Sequence, residues 1–595
     1  MAVETGDKVT RKYANFRGVD FRGEECSLNR SPDSLNVWKN YKKLASIETR
    51  PGLKYLHAAG LRIACMMWDN GKLYYIDGAG YLNAWSKDGV QDVEPCYVGN
   101  NGILFSFGGK LYAMGTERYQ NVTDQKEVEP YIPTTSIARK PSGGGKIHED
   151  VNLLTNRRIN TFLADGESID YYVDTPYISN GEIIVKVDGE VMKQNEDYIV
   201  ESPAGLIQFN GAQPKPKTDG QDNVSIEFMH DSEHAWDKGV EISQTKRNKV
   251  LKCTLAQEFD NRVFFSGNED YPNMVRHCSL ENPAYISDLD YYADGADSTP
   301  IRSMVAGNNG LWVFRDYSPS NNNVFYHTPA LDDEYGKIYP SSHSSIAIGC
   351  EGRACNFNDD IVFFSRRGME GASTDITTEQ FVTHRSSLVD RVMLTNPYYK
   401  NMVLTEWEGY LFVFIGSDAY LADSRAVLTN ENHIEYEWYR WNWGDTRDVG
   451  VVTCATVHDG VLYIATDFGE IYSFKKDPEE EGVWDDIVNR KSNERKTSID
   501  SYWTTPLDRF GAQNKLKTTN KKGCVVEAKG DISVYVKVED EEFELIGTYE
   551  NIKDYFTSRI KRKKWKDIQL KFQSNTSFSL ETATLEAYCG SYIKR

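Results

Sequence analysis

The chain has 595 residues, a formal net charge of −20, 40% hydrophobic and 26% charged residues. That length predicts two to four folding units, and the balance excludes a disordered chain. The acidic excess excludes a protein that wraps DNA by neutralising phosphates.

The longest apolar run, Tyr410 to Ile415, is six residues, far short of the roughly 20 that cross a bilayer, so no membrane-spanning segment is expected. The opening MAVETGDKVTRKY has no apolar stretch of the kind a secretion leader carries. Ten cysteines are scattered without a CxxC pair, which fits free thiols in a protein made in a reducing cytosol. Tyr is abundant, and Tyr and Phe fall in short apolar bursts, which favours strands.

Taken in chain order, residues 1–55 form an N-terminal arm. Pro32, Pro51 and Gly52 punctuate it, and it is expected to lie against the first blade or a neighbouring copy. From there a pattern repeats: a turn pair of Asn, Asp or Gly, an apolar-aromatic burst, then a second turn. It reads DNGKLYYIDGAGYLNAW from Asp69, FGGKLYAMG from Phe107, FDNRVFFSG from Phe259 and NNGLWVFRD from Asn308. It returns as FNDDIVFFSRRG from Phe357, WEGYLFVFIG from Trp407 and HDGVLYIATDFGEIYSF from His458, the last four intervals being 49, 49, 50 and 51 residues.

A unit of that size has room for four short strands, which cannot bury both faces alone. The seven copies predict an all-β fold built on a β-propeller of about seven blades (six to eight), spanning 56–145 and 235–480.

The interval from Phe107 to Phe259 is about a hundred residues too long. It opens with the flexible-looking KPSGGGK and continues in short strands, with a hairpin turn at Asp188-Gly189. This predicts an inserted Ig-like β-sandwich at 146–234. After a charged connection, alternation such as Ile568, Leu570, Phe572 predicts a C-terminal β-sandwich at 500–595. From Ser501 onward there are 17 basic and 13 acidic residues, so this end is positive while the rest is strongly negative.

Three stretches resemble the hub and nozzle proteins of bacteriophage tails, the tail tubular protein B-like family. The first is NFRGVDF (Asn15 to Phe21) with NRSPDSLNVW (Asn29 to Trp38) and TRPGL (Thr49 to Leu53). The second runs from Arg262 to Met304, and the third is WTTPLDRFGAQNKLK from Trp503 with RIKRKKWKDIQLKF.

The resemblance implies a structural virion protein with no catalytic residues and no cofactor. It implies a ring with itself, commonly of six copies, assembled in the host bacterial cytoplasm and built into the virion tail. Its neighbours would be portal- or adaptor-side and distal tail proteins, with genomic DNA passing through the channel without sequence-specific contact. The alternative is a host-facing carbohydrate-binding or depolymerising propeller.

Few residues invite chemistry. Asp288, Asp290, Asp294 and Asp297 cluster around Gly295 and offer oxygens of the kind calcium takes, but the spacing misses the helix-loop-helix pattern, and an acidic surface loop is the plainer reading. His230, Glu233 and His234 have ligand character in what reads as a polar linker. Cys350 with His343 lacks an orienting third group.

The densest basic run, RIKRKKWK, offers Arg559, Lys561, Arg562, Lys563, Lys564 and Lys566 as partner-contact candidates. On a strand it would read as a charged edge. Sialidase boxes, the Gly-His to Trp-Asp repeat and GxxxxGK are all absent from the sequence, so no enzyme is expected.

Overall fold

The computed structural model describes residues 7–41, 46–86, 94–145, 147–179, 183–229, 241–319, 322–333, 336–343, 348–372, 382–430, 433–474, 484–490, 493–561 and 564–592. The seven turn-and-burst copies are the seven blades of a propeller. Each turn pair joins the first strand of a blade to the second, and each places two successive residues at positive φ: Asn70-Gly71, Gly108-Gly109, Asp260-Asn261, Asn308-Asn309, Asn358-Asp359, Glu408-Gly409 and Asp459-Gly460. Two left-handed residues in a row make the type I′ hairpin turn, which Asn, Asp and Gly adopt at least cost. The repeat in the sequence is this turn.

The burst that follows is the second strand of its blade. Gly310–Arg315 and Tyr410–Ile415 are buried at every position, and Lys72–Asp77, Arg262–Ser266, Asp360–Ser365 and Val461–Thr466 at nearly every one. Such a strand has apolar side chains on both faces and needs a sheet against each. The innermost strands of the blades begin at Ile63, Ile103, Leu255, Ile301, Ala354, Val403 and Val452, and each lies against the next around the ring, the last against the first.

Closure comes from the beginning of the chain. Leu53–Ala58 pairs antiparallel with Glu470–Phe474 and supplies the outer strand of the seventh blade. The hairpin Asp485–Arg490 and Asn493–Ser498 extends the same sheet to six strands.

The inserted sandwich packs a five-stranded sheet on a three-stranded one around Phe162, Tyr171, Val185, Ile207 and Phe228. Asp188 and Gly189 take φ of 48° and 88° in its hairpin turn. The sandwich starts earlier than expected: Thr134–Ser136 pairs parallel with Ile159–Thr161. The KPSGGG stretch therefore lies inside it, held by Asp222, which accepts from the amides of Gly144 and Gly145.

The described residues from 7 to 49 are not an arm against the first blade. Their strands are stitched into the C-terminal domain, whose sheet has ten strands. Asp7–Ala14 pairs with the last strand, Phe578–Tyr592, over eight residues, Ser34–Leu35 pairs with Ser501–Thr504, and Ile47–Thr49 joins Phe578–Tyr592. The 24-residue strand Lys515–Val538 bends at several register shifts and pairs with four other strands, which lets one segment serve a strongly curved sheet.

Arm, sixth blade and the hairpin on the seventh blade meet at Arg50. Its side chain is fully buried, and it donates from Nη1 to Asp486 Oδ1 at 2.8 Å, from Nη2 to Asp486 Oδ2 at 2.6 Å and from Nε to Asn36 Oδ1 at 2.8 Å. Its Nη2 also donates to the Asn442 carbonyl at 3.0 Å. Arg50→Ala leaves the Asp486 carboxylate buried without its cation, and is expected to cost about 3–5 kcal/mol in urea unfolding. Arg17→Ala, whose partner Glu437 is 3.7 Å away from a half-exposed guanidinium, is expected to cost under about 1 kcal/mol.

Candidate functional sites: domain joints, a basic loop and an axial cavity

The segments that carry the family resemblance fold onto the joints between domains. In NFRGVDF, the Val19 amide donates to the Trp438 carbonyl and the Phe21 amide to the Leu388 carbonyl, both at 2.8 Å. Gly18 has φ of 78°, and a Cβ there would sit 2.1 Å from the Trp438 carbonyl oxygen, so only glycine lets the arm lie this close to the sixth blade.

In NRSPDSLNVW, Ser31 Oγ donates to the Thr504 carbonyl at 2.7 Å, and Asn36 accepts from the amide of Asn442 while donating to the Asp500 carbonyl, both at 2.8 Å. Trp38 packs edge-on against Trp441, their rings 5.1 Å apart. The third stretch completes the knot: Asp508 accepts from the Tyr13 hydroxyl at 3.1 Å and pairs with Arg11 at 3.2 Å.

The second stretch makes the other joint. Residues 282–288 brace the chain where it leaves for the inserted sandwich. Asn152 Nδ2 donates to the carbonyls of Tyr131 and Ala284 at 2.8 and 2.9 Å, and its Oδ1 accepts from the Ile286 amide at 3.1 Å. The Asp288 amide donates to the Val151 carbonyl at 3.0 Å.

The four aspartates do not converge. Asp288 pairs with Lys249 at 2.8 Å. Burial pushes the Asp290 carboxyl up to about 6. Asp294 is buried against His327 Nε2 at 3.1 Å. Asp297 pairs with Arg315 and accepts from Ser318 Oγ at 2.7 Å, and the Ser318 bond, ahead of that with Arg315, outweighs burial and holds its carboxyl well below the usual range. Lys249, His327 and Arg315 hold Asp288, Asp294 and Asp297 in three separate contacts. No metal-binding group of three or more His, Cys, Asp or Glu occurs among the described residues. His230, Glu233 and His234 lie outside the described residues. Cys350 is fully buried, and burial pushes its thiol up to about 12, so it is no nucleophile.

A closer look-alike is Ser386, Asp390 and His384 in the fifth blade. Ser386 Oγ donates to Asp390 Oδ1 at 2.6 Å, and His384 Nε2 reaches Asp390 Oδ2 at 2.5 Å. The carboxylate stands between hydroxyl and imidazole, so the ring does not take the serine proton, and the order is wrong for an activated nucleophile. His384 Nδ1 faces Glu370 at 3.3 Å. Burial opposes the imidazolium, but the bonds to Asp390 and Glu370 outweigh it and raise the ring from 6.5 to about 9.

The described residues of the basic run lie between Tyr555–Ser558 and Ile568–Ser574, outside any strand. Two apolar residues five positions apart pin it: Ile560 is 5% exposed, and Trp565 is fully buried with its ring 5.3 Å from Phe510. Lys517, whose ammonium burial lowers, donates to the carbonyls of Ala512 and Lys566 at 2.6 Å beneath it. Arg559, Lys561, Lys564 and Lys566 all point to solvent, and none forms an ion pair among the described residues. Arg562 and Lys563 lie outside the described residues.

One concavity was not foreseen. A cavity of about 1020 Å³ lies on the propeller axis, at the end where the chain enters each inner strand, and all seven blades contribute to its wall. Its charged lining residues are Arg62, Arg302, Arg353, Lys400, Glu351 and Asp467. The four cations stand five to eight residues ahead of their turn pairs in the repeat, which is the signal that would have found them.

No family model matches the chain, and no curated protein matches it. Among solved structures it is similar to virginiamycin B lyase from Staphylococcus aureus, at TM-score 0.34 and 10% identity over 72% of this chain and 100% of that one. It is also similar to BamB from Moraxella catarrhalis, at TM-score 0.32 and 8% identity over 77% of this chain and 97% of that one. A computationally designed protein, Ika8, superposes at TM-score 0.31 and 10% identity over 71% of this chain and 100% of its own. One of these is an enzyme, but superpositions this loose lend the chain no activity, and the propeller assignment stands on its own seven sheets. No helix among the described residues is long and apolar enough to cross a membrane.

Two outcomes are expected. A histidine held above its unfolded value stabilises fully below pH 6.5, and that contribution disappears as pH rises through about 9. Denaturant midpoints measured from pH 6 to 9.5 should therefore fall less in His384→Gln than in the parent. In the basic loop, Trp565→Ala should cost about 3–5 kcal/mol by the same measurement, whereas Lys561→Gln should stay within about 0.5 kcal/mol.

Proposed function

We propose that the chain is a structural part of a bacteriophage tail, a hub- or nozzle-like subunit that forms a ring of about six copies and continues the DNA channel. The observation that carries this reading is where the resembling segments lie. All three sit at joints, where they lock arm, blades, inserted sandwich and C-terminal domain into one body. A family whose shared residues hold domains together is one whose job is shape.

The electrostatics agree. A ring of six would carry roughly −120 formal charges, and a negative bore keeps DNA phosphates from sticking as the genome slides through. The exposed cations of Arg559, Lys561, Lys564 and Lys566 stand out against this background and suit an acidic neighbour in the tail. On this reading the protein has no catalytic role and no cofactor.

Particles assembled without the chain test the proposal. They are expected to package DNA and then leak it, or to fail to eject it. Particles that hold and release their genome normally and fail only to adsorb would overturn the ring reading in favour of a host-facing propeller.

A further inference from the structure

The charges of the axial cavity do not balance. Arg302 is paired with Asp316, outside the cavity lining, at 2.5 Å, and Lys400 with Glu351 at 3.3 Å. Asp467 accepts from the Val451 amide at 2.7 Å. Arg62 and Arg353 remain, and neither has a carboxylate within ion-pair reach among the described residues. Arg353 makes one long contact, 3.5 Å to the Arg302 carbonyl. Burial lowers its guanidinium, and the like charge of Arg302 lowers it further.

Arg62 comes from the first blade and Arg353 from the fifth, so the two enter the cavity from well-separated blades of the ring. The rest of the wall is mixed, with Met66, Leu104, Leu255, Ile301 and Val403 among its apolar residues. A volume of about 1020 Å³ that mixes apolar residues with a few charged groups can hold a small molecule. Unpaired guanidiniums are the groups that recognise oxyanions. In a chain of net charge −20, a concavity with a cationic wall is a local reversal that concentrates anions.

We propose that this cavity binds a small organic oxyanion, its phosphate or carboxylate oxygens held by Arg62 and Arg353 and its carbon skeleton against the apolar residues of the wall. The site belongs to a single chain and is distinct from any bore enclosed between copies, so it stands whether or not the ring reading does.

Calorimetric titration of the full chain in chloride buffer, with phenyl phosphate and separately with citrate, tests the proposal. Both probes bind oxyanion chemistry, and which of them binds tells phosphate from carboxylate. One site per chain at about millimolar affinity or tighter is expected, weakened about tenfold or more by Arg353→Gln and by Arg62→Gln, and unchanged by Lys193→Gln on the inserted sandwich. Neither arginine forms an ion pair among the described residues, so the variants should melt with the parent. Failure of both probes to bind, or binding that both arginine variants retain in full, would each overturn it.

Discussion

A strand that is apolar on both faces cannot stop at one neighbour. The second strand of every blade here is such a strand, and Tyr410–Ile415 buries all six of its side chains. Each blade therefore recruits a sheet on either side, and the recruitment ends only when the seventh blade meets the first. That closure is not left to apolar contact alone. Leu53–Ala58 adds backbone hydrogen bonds to the seventh sheet, and Arg50, immediately ahead of it in the chain, is clamped to Asp486 in the hairpin that extends the same sheet. A buried ion pair of this kind adds little net stability beyond what apolar packing would give, but it fixes which segments meet.

Much of this was legible in the sequence because the signal was local. A type I′ turn selects Asn, Asp and Gly at two adjacent positions, and a doubly buried strand selects four to six apolar residues directly after it. Both constraints act within ten residues and repeat at the spacing of the blades. The Asp188-Gly189 turn was readable for the same reason.

What could not be read was pairing at long range. Nothing near Asp7–Ala14 announces a partner that begins at Phe578, since register between distant strands is set by tertiary packing rather than by local preference. The basic run misled through its charges. Ile560 and Trp565 are its anchors, and their spacing of five is not the alternation of a strand. The aspartates misled through proximity in sequence, because Lys249, His327 and Arg315 come from three different elements to claim them. Pro51 and Gly52 drew notice as punctuation, while the residue that matters, Arg50, stands just before them.

The route of the chain also sets an order of events. The strand that shuts the propeller leaves the ribosome about four hundred residues before the strand it must pair with, Glu470–Phe474. Throughout that interval the nascent disc is an open horseshoe with an unpaired edge at each lip, the kind of edge that invites other chains. Synthesis itself becomes the stage at which this protein is most exposed to mispairing.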